Sequence, residues 1–266
     1  MGTEERIETI SALAAGLLLG GAAAAGVLAL ALGPAHVPGF RLLPLWMQAG
    51  LTHTPLPGGE EAPPVYWYLS RAAGLLAYGT LWASTVWGLV MTSKVLDRLV
   101  PRPVSFGLHQ FLATLALSLT GLHMAALLGD RYFDFTLGGL LVPGRSPFKP
   151  LWVGLGVVAF YVLVAVYGSF AVRKRIGQRT WRALHSLSFA LYLLALAHGL
   201  MAGTDLGHPP AARLYLASAG VVLFLSYSRI LAWRQRPQRP DRPAARAATP
   251  SSRPHPAGDM RTVDPG

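Results

Sequence analysis

Long stretches without charged residues alternate with short polar connections between residues 10 and 228. Five stretches hold no Asp, Glu, Lys or Arg and have at least 22 residues, and a helix of about 20 residues crosses a hydrocarbon core. They cover residues 10–32, 72–93, 104–129, 150–172 and 183–204. A sixth stretch, 214–228, is shorter, but Arg213 and Arg229 at its ends can extend to the membrane surface. Because each helix satisfies its own backbone in lipid, the pattern predicts an all-α, six-helix transmembrane bundle.

The composition agrees with a membrane protein. Of the 266 residues, 52% are hydrophobic and 13% are charged, whereas soluble domains carry about 25% charged residues. The basic residues behind the net charge of +11 are scattered between apolar stretches, which favours membrane orientation over nucleic-acid binding. We therefore expect membrane lipid, and no nucleic acid, as a partner. The sequence has no cysteine, which excludes disulfides, thiolate metal sites and cysteine-bound iron–sulfur clusters.

Lysine and arginine are concentrated in alternate connections. The connection after the second stretch carries Lys94, Arg98 and Arg102, and the connection after the fourth carries five basic residues and no acid within 173–182. Basic connections remain on the cytoplasmic side of a membrane. We therefore expect a multi-pass protein of the cell membrane with both termini in the cytoplasm. The first stretch follows an acidic leader and exceeds the core of a signal peptide, which predicts an uncleaved helix.

The stretches divide the chain into three regions. Residues 1–65 contain the first predicted helix and an outer loop, residues 66–233 contain the other five helices, and residues 234–266 form a tail rich in Pro, Arg and Ala. The tail shows no apolar periodicity, which predicts a disordered, basic cytoplasmic segment. It is too short for a nucleotide-binding domain, and no G-x-G-x-x-G follows a strand pattern. We therefore expect no NAD or FAD site in this chain.

Four histidines lie inside the apolar stretches. His109 and His123 belong to the third predicted helix, and His185 and His198 belong to the fifth. Ionisable side chains at membrane depth are costly and are candidates for function. A single histidine there is more often a helix-packing hydrogen bond. Two helices that each carry a histidine pair at nearly equal spacing favour metal ligation instead.

The histidine spacings predict two sites at different depths. Fourteen residues separate His109 from His123, about 21 Å along a helix, and thirteen separate His185 from His198, about 19.5 Å. Both helices follow a basic connection, so His109 should meet His185 near the cytoplasm and His123 should meet His198 near the outside. Each pair of neutral imidazoles can supply both axial ligands of one iron, which predicts two b-type haems between the third and fifth helices. A spacing of thirteen residues corresponds to a rotation about 140° short of four full turns, so His185 and His198 would point in different directions from a straight helix. The sequence alone does not explain how both could be ligands.

The segment RKRIGQRTWRALHSLSFALYLLALAHGLMAGTD, residues 173–205, carries two of the four histidines. It resembles the fifth helix of the ferric reductase-like transmembrane domain, which ferric reductases, NADPH oxidases and the haem-binding subunit of bacterial methionine-sulfoxide reductase share. YWYLSRAAGLLAY, residues 66–78, resembles its second helix, and LLVPGRSPFKPLWVGLG, residues 140–156, its third-to-fourth connection. The histidine spacings of 14 and 13 match the ligand pattern of the family. The resemblance covers residues 66–233.

The resemblance implies an oxidoreductase, or the membrane electron-transfer subunit of one. Single electrons would pass from a cytoplasmic flavoprotein reductase or a quinol, with flavin or quinone as the donor's cofactor, to an extracytoplasmic acceptor protein, oxygen or ferric iron. The oxidases append FAD and NADPH domains that this sequence does not show, so it is closer to the bacterial stand-alone subunits. By resemblance, Arg71 is the partner of the outer haem propionates, with an interfacial anchor as an equal alternative. Arg182 is a candidate for the inner haem, although we favour a positive-inside loop residue.

Other interpretations of the polar residues stay open. A haem-free transporter could use the four histidines as a path for a divalent cation or a proton, but the absence of carboxylates in the predicted helices favours haem. His36, His53 and His208 could form a metal site, with solvated loop histidines as the default. Tyr192 is interpreted as helix packing, and Trp181 as an interfacial aromatic. Close helix or porphyrin approach is expected at four glycines: Gly74, Gly88, Gly121 and Gly199.

Overall fold

The computed structural model describes residues 39–93, 100–203 and 209–234, and its regular structure within these ranges is helical. After a short 3-10 turn, the helices are α1 (Leu45–Thr52), α2 (Val65–Ser93), α3 (Arg102–Gly129), α4 (Leu137–Leu141), α5 (Pro150–Ala202) and α6 (Pro209–Arg234). The all-α prediction is confirmed for this part of the chain. The helix predicted at 10–32 and the tail after Arg234 lie outside the described residues.

Four of the described helices, α2, α3, α5 and α6, are long and apolar enough to cross a membrane. Large apolar side chains point outward from them, such as Leu76, Leu193 and Phe224, which are 58%, 59% and 67% exposed. In water, such surfaces would be aggregation-prone, whereas in a bilayer they face acyl chains. The described helices therefore suit contact with membrane lipid.

Helix α5 is 53 residues long and is interrupted at Gly177. Gly177 has φ 80° and ψ 157°, a combination that is essentially restricted to glycine. The sequence predicts a loop in this region, at 173–182, because its basic residues mark a connection. The structure instead keeps helix on both sides of a single non-helical glycine.

The two arms of α5, residues 150–176 and 178–202, run antiparallel beside each other. Lys149 Nζ donates a hydrogen bond to Met201 O at 2.8 Å. Nearer the bend, Leu163 packs with Leu191 in one buried cluster. In each pair the two residues lie at nearly equal distances along the sequence before and after Gly177, as expected for a helical hairpin. The arms carry the fourth and fifth predicted apolar stretches.

Helix α2 packs mainly against α3 and also contacts α5. A buried cluster joins α2, the second arm of α5 and α6 through Tyr78, Tyr192 and Tyr215. Tyr78 Oη lies 2.5 Å from Ser218 Oγ and 3.2 Å from Tyr192 Oη, so the buried hydroxyls bond to one another. Tyr192 is 2% exposed, which agrees with its interpretation as a packing residue.

By its contacts the chain divides into two units after Arg229, and of the second unit only the end of α6 is described.

Candidate functional site

The two histidines of α3 lie against α2. His123 Nδ1 is 2.8 Å from Ser70 O and 3.2 Å from Ser70 Oγ. His109 Nδ1 is 3.1 Å from Ser84 O and 3.2 Å from Ser84 Oγ. Because a carbonyl oxygen can only accept, Nδ1 must carry the proton in both rings. In the neutral imidazole, Nε2 then has a free lone pair for a ligand.

The two histidines of α5 are supported differently. His198 Nδ1 donates to Trp152 O at 2.9 Å, across the two arms of the helix. His185 forms no hydrogen bond through its ring with the residues that the structure describes. It stacks on Trp181, one turn earlier, with ring centroids 5.2 Å apart and an interplanar angle of 17°. Trp181, which the sequence suggests is an interfacial aromatic, therefore supports a candidate ligand.

The structure brings the four rings together as two pairs. The centroids of His109 and His185 are 6.1 Å apart with an interplanar angle of 78°. The centroids of His123 and His198 are 6.4 Å apart with an angle of 76°. These are the two combinations that the spacings and helix directions predict from the sequence. Ligation itself stays a prediction.

Both pairs fit a metal ion held between two imidazoles. Rings that bind one ion from opposite sides, with bonds of about 2.0–2.1 Å, have centres about 6–6.5 Å apart. Ligating histidines typically donate their other ring N–H to a carbonyl or carboxylate, as His109, His123 and His198 do here. Two imidazoles leave four positions of an octahedral iron to other donors, which a porphyrin supplies. The donor set therefore suits haem.

A largely apolar cavity lies beside the His123/His198 pair. Gly74 and Gly156 form part of its wall, and a Cβ at either would lie 2.9 or 2.6 Å from the nearest imidazole atom. Glycine thus keeps room for the rings where any side chain would displace them. Aliphatic and aromatic residues supply most of the remaining lining, as a flat apolar macrocycle requires: Leu81, Leu127, Val157, Phe160 and Leu163.

The two candidate propionate partners lie in different surroundings. Arg71 lines the cavity of the His123/His198 pair, and its guanidinium carbon is 4.8 Å from the centre of the Trp67 ring. A cation at the wall of an apolar cavity suits a carboxylate ligand. Arg182 is exposed. The roles of both arginines stay predictions.

The outer-loop histidine that the structure describes, His53, is half-buried in the turn after α1. His53 ends α1 in a left-handed conformation, and its Nε2 donates to Gly129 O at 3.0 Å. Its ring also stacks on Tyr66 with centroids 5.4 Å apart. His53 therefore caps the end of α3, a role that the sequence analysis did not predict. His36 and His208 lie outside the described residues. Among the described residues, no group of three or more His, Cys, Asp or Glu could hold a metal ion.

The glycines that the sequence singles out divide into two groups. A Cβ at Gly74, Gly88 or Gly199 would lie 2.9–3.3 Å from the nearest ring atom, so close approach occurs at these three positions. A Cβ at Gly121 would meet no described residue within 4 Å, so close helix approach is not seen there, and close porphyrin approach stays a prediction. The sequence analysis missed Gly156, which has the shortest distance to a candidate ligand.

No family model, curated protein or solved structure matches this chain.

Proposed function

We propose that this chain is a two-haem b-type transmembrane cytochrome, similar to the ferric reductase-like transmembrane domain. The observation that carries the proposal is the pair of histidine contacts, with ring centroids 6.1 and 6.4 Å apart. The family pattern within residues 66–233 favours the same function. The proposed architecture is a six-helix bundle in the cell membrane with both termini cytoplasmic, in which the arms of α5 are the fourth and fifth helices.

In this proposal, the four imidazoles would hold the iron of two haems through Nε2. His109 and His185 form the site nearer the cytoplasm, and His123 and His198 form the site nearer the outside. The backbone carbonyls that accept from Nδ1 fix the tautomer of three of the rings and raise their basicity. Arg71 compensates the propionate charge at the outer site, where an unpaired carboxylate would be costly. Arg182 is the candidate for the same role at the inner site.

The depth of the two sites suits transfer across a membrane. Fourteen residues of the helix α3 separate the two ligand levels, a rise of about 21 Å in a core of about 30 Å. When bound, haem supplies one-electron chemistry, so that electrons can pass from a cytoplasmic flavoprotein reductase or a quinol to ferric iron or an extracytoplasmic acceptor protein. The protein contributes ligation, apolar surroundings and charge compensation.

An absorbance spectrum of the purified full-length chain, dithionite-reduced minus oxidised, tests the proposal. We expect a low-spin b-type signal with close to two haems per chain. Acid should extract both haems because the sequence has no cysteine to tether them. A folded but colourless preparation would overturn the proposal and favour a haem-free transporter that uses the same histidines for a cation or a proton.

A further inference from the structure

Helix α2 carries one short pattern twice, although it holds no candidate ligand itself. A serine is followed four residues later by a glycine at Ser70 and Gly74, and again at Ser84 and Gly88. The two copies are fourteen residues apart, as are the two histidines of α3. We define each Ser-x-x-x-Gly copy as a seat: Ser70 with Gly74 is the seat of His123, and Ser84 with Gly88 is the seat of His109.

The seat of His123 touches the ring from two sides. Ser70 approaches Nδ1 with its carbonyl oxygen at 2.8 Å and its hydroxyl oxygen at 3.2 Å. One turn along α2, a Cβ on Gly74 would lie 2.9 Å from Nδ1 and 3.1 Å from Cε1. The ring therefore lies on glycine backbone while serine holds its N–H.

The seat of His109 repeats this arrangement. Ser84 approaches Nδ1 with its carbonyl oxygen at 3.1 Å and its hydroxyl oxygen at 3.2 Å. A Cβ on Gly88 would lie 3.3 Å from Cε1. The hydroxyl distance is the same at both seats, whereas the carbonyl and Cβ distances are longer at the seat of His109, and its ring meets the glycine through Cε1 instead of Nδ1.

The common spacing has a physical basis in helix packing. Fourteen residues are two heptads, the repeat that keeps the same faces of two helices in contact when they cross at about 20°. Seats placed fourteen residues apart on α2 therefore remain opposite histidines placed fourteen apart on α3. Other spacings on α2 would turn one seat away from its ring.

We propose that the two seats are positioning elements, one for each haem, and that each serine hydroxyl adjusts the reduction potential of its own haem. This inference rests on the proposed function. The backbone carbonyl fixes the proton on Nδ1, and the hydroxyl is a second acceptor for the same N–H. Each acceptor increases the basicity of the imidazole and so stabilises the ferric state. Removal of the hydroxyl should destabilise that state while the carbonyl keeps the ring in place.

Redox titration of Ser70→Ala and Ser84→Ala tests the inference. Both variants should retain two haems per chain. Ser70→Ala should raise only the midpoint potential of the haem that is lost in His123→Ala, and Ser84→Ala only the potential of the other haem. We expect a change of up to tenfold in the ferric-to-ferrous ratio at a fixed applied potential, which is about 59 mV for a one-electron couple.

Matched variants on α2 provide the controls. Among the described residues, the Thr85 hydroxyl bonds only to Leu81 O of its own helix, so Thr85→Val should leave both potentials unchanged. A Cβ at Gly79 would meet none of the residues that the structure describes within 4 Å. Gly79→Ala should therefore retain both haems, whereas Gly74→Ala should lower the occupancy of the His123/His198 site.

The outcomes separate the two proposals. If the wild-type chain binds two haems and the serine variants leave both potentials unchanged, or shift both equally, the seats do not act as proposed, while the cytochrome assignment stands. If the wild-type chain is folded and binds no haem, the assignment and the inference that rests on it are both overturned.

Discussion

A methyl group at position 156 tests how closely the first arm of α5 supports His198. In Gly156→Ala, the new Cβ would lie 2.6 Å from His198 Nδ1, whereas ordinary van der Waals contact begins at 3.4 Å, so the ring must retreat by about 0.8 Å. The same Nδ1 atom is held by Trp152 O at 2.9 Å. The ring therefore cannot retreat without weakening the hydrogen bond that orients it.

A displacement of this size should break ligation at one site only. Metal–ligand distances tolerate deviations of about ±0.2 Å, well below the displacement that the methyl group imposes on His198. Overpacking by one methyl group costs about 1–3 kcal/mol, which a bundle of long helices can absorb without unfolding. We therefore expect a folded protein with one haem per chain instead of two, and the remaining signal should be that of the His109/His185 site.

Gly168→Ala is the matched control, since Gly168 lies on the same arm and a Cβ there would lie more than 4 Å from every other described part of the chain. The assay is acid extraction and quantification of haem against protein, together with the reduced-minus-oxidised spectrum. Gly168→Ala should retain two haems. If Gly156→Ala also retained two low-spin haems with unchanged spectra, His198 would not be held as described, and the reasoning would be refuted.

Two further experiments test the pairing of the histidines and the packing of the helices. His109→Ala and His185→Ala should remove the same haem, and His123→Ala and His198→Ala the other, as read from the difference spectra; removal of different haems by the first two variants would disprove the pairing. Tyr78→Phe removes a hydroxyl from the buried network of α2, α5 and α6 and should lower the free energy of unfolding by about 1–3 kcal/mol with an unchanged haem spectrum. Thermal denaturation measures this loss, and unaltered stability would show that the network does not hold the helices together.

The helices are largely predictable from the sequence because length and apolarity are local properties of the chain. The stretch 104–129 begins two residues after the observed start of α3 and ends at the same residue. The stretch 72–93 begins seven residues after the start of α2, because Arg71 marks a boundary in the charge pattern. In the structure, Arg71 packs over the Trp67 ring and lies within the helix. A charged residue therefore does not end this helix when its long side chain stacks on a neighbouring aromatic ring, although a rule that ends each stretch at the first charge places the boundary there.

The supports of the histidines were not predictable to the same degree. Histidine spacing along a helix is readable from the sequence, and so the pairs could be anticipated. The acceptors of three imidazole N–H groups are backbone carbonyls, which have no signal of their own in a sequence. One of them, Trp152 O, reaches His198 only because α5 folds back at Gly177. The basic residues around Gly177 predict a loop there, so the sequence does not show the position of this bend. The serines of α2 did carry a signal, the shared spacing of fourteen, but it has meaning only once α2 is known to face α3.

The thirteen-residue spacing on α5 makes the two sites unequal. Residues 178–202 are helical without interruption, so the directions of His185 and His198 differ as their spacing requires, and no kink compensates. Each ring is instead supported from a different direction, His198 by the carbonyl of Trp152 on the opposite arm and His185 by the stacked Trp181. On the α2 side, by contrast, the two seats are nearly equivalent. Differences between the two proposed haems should therefore originate mainly on α5, where one ligand has a hydrogen-bonded N–H and the other a stacked indole.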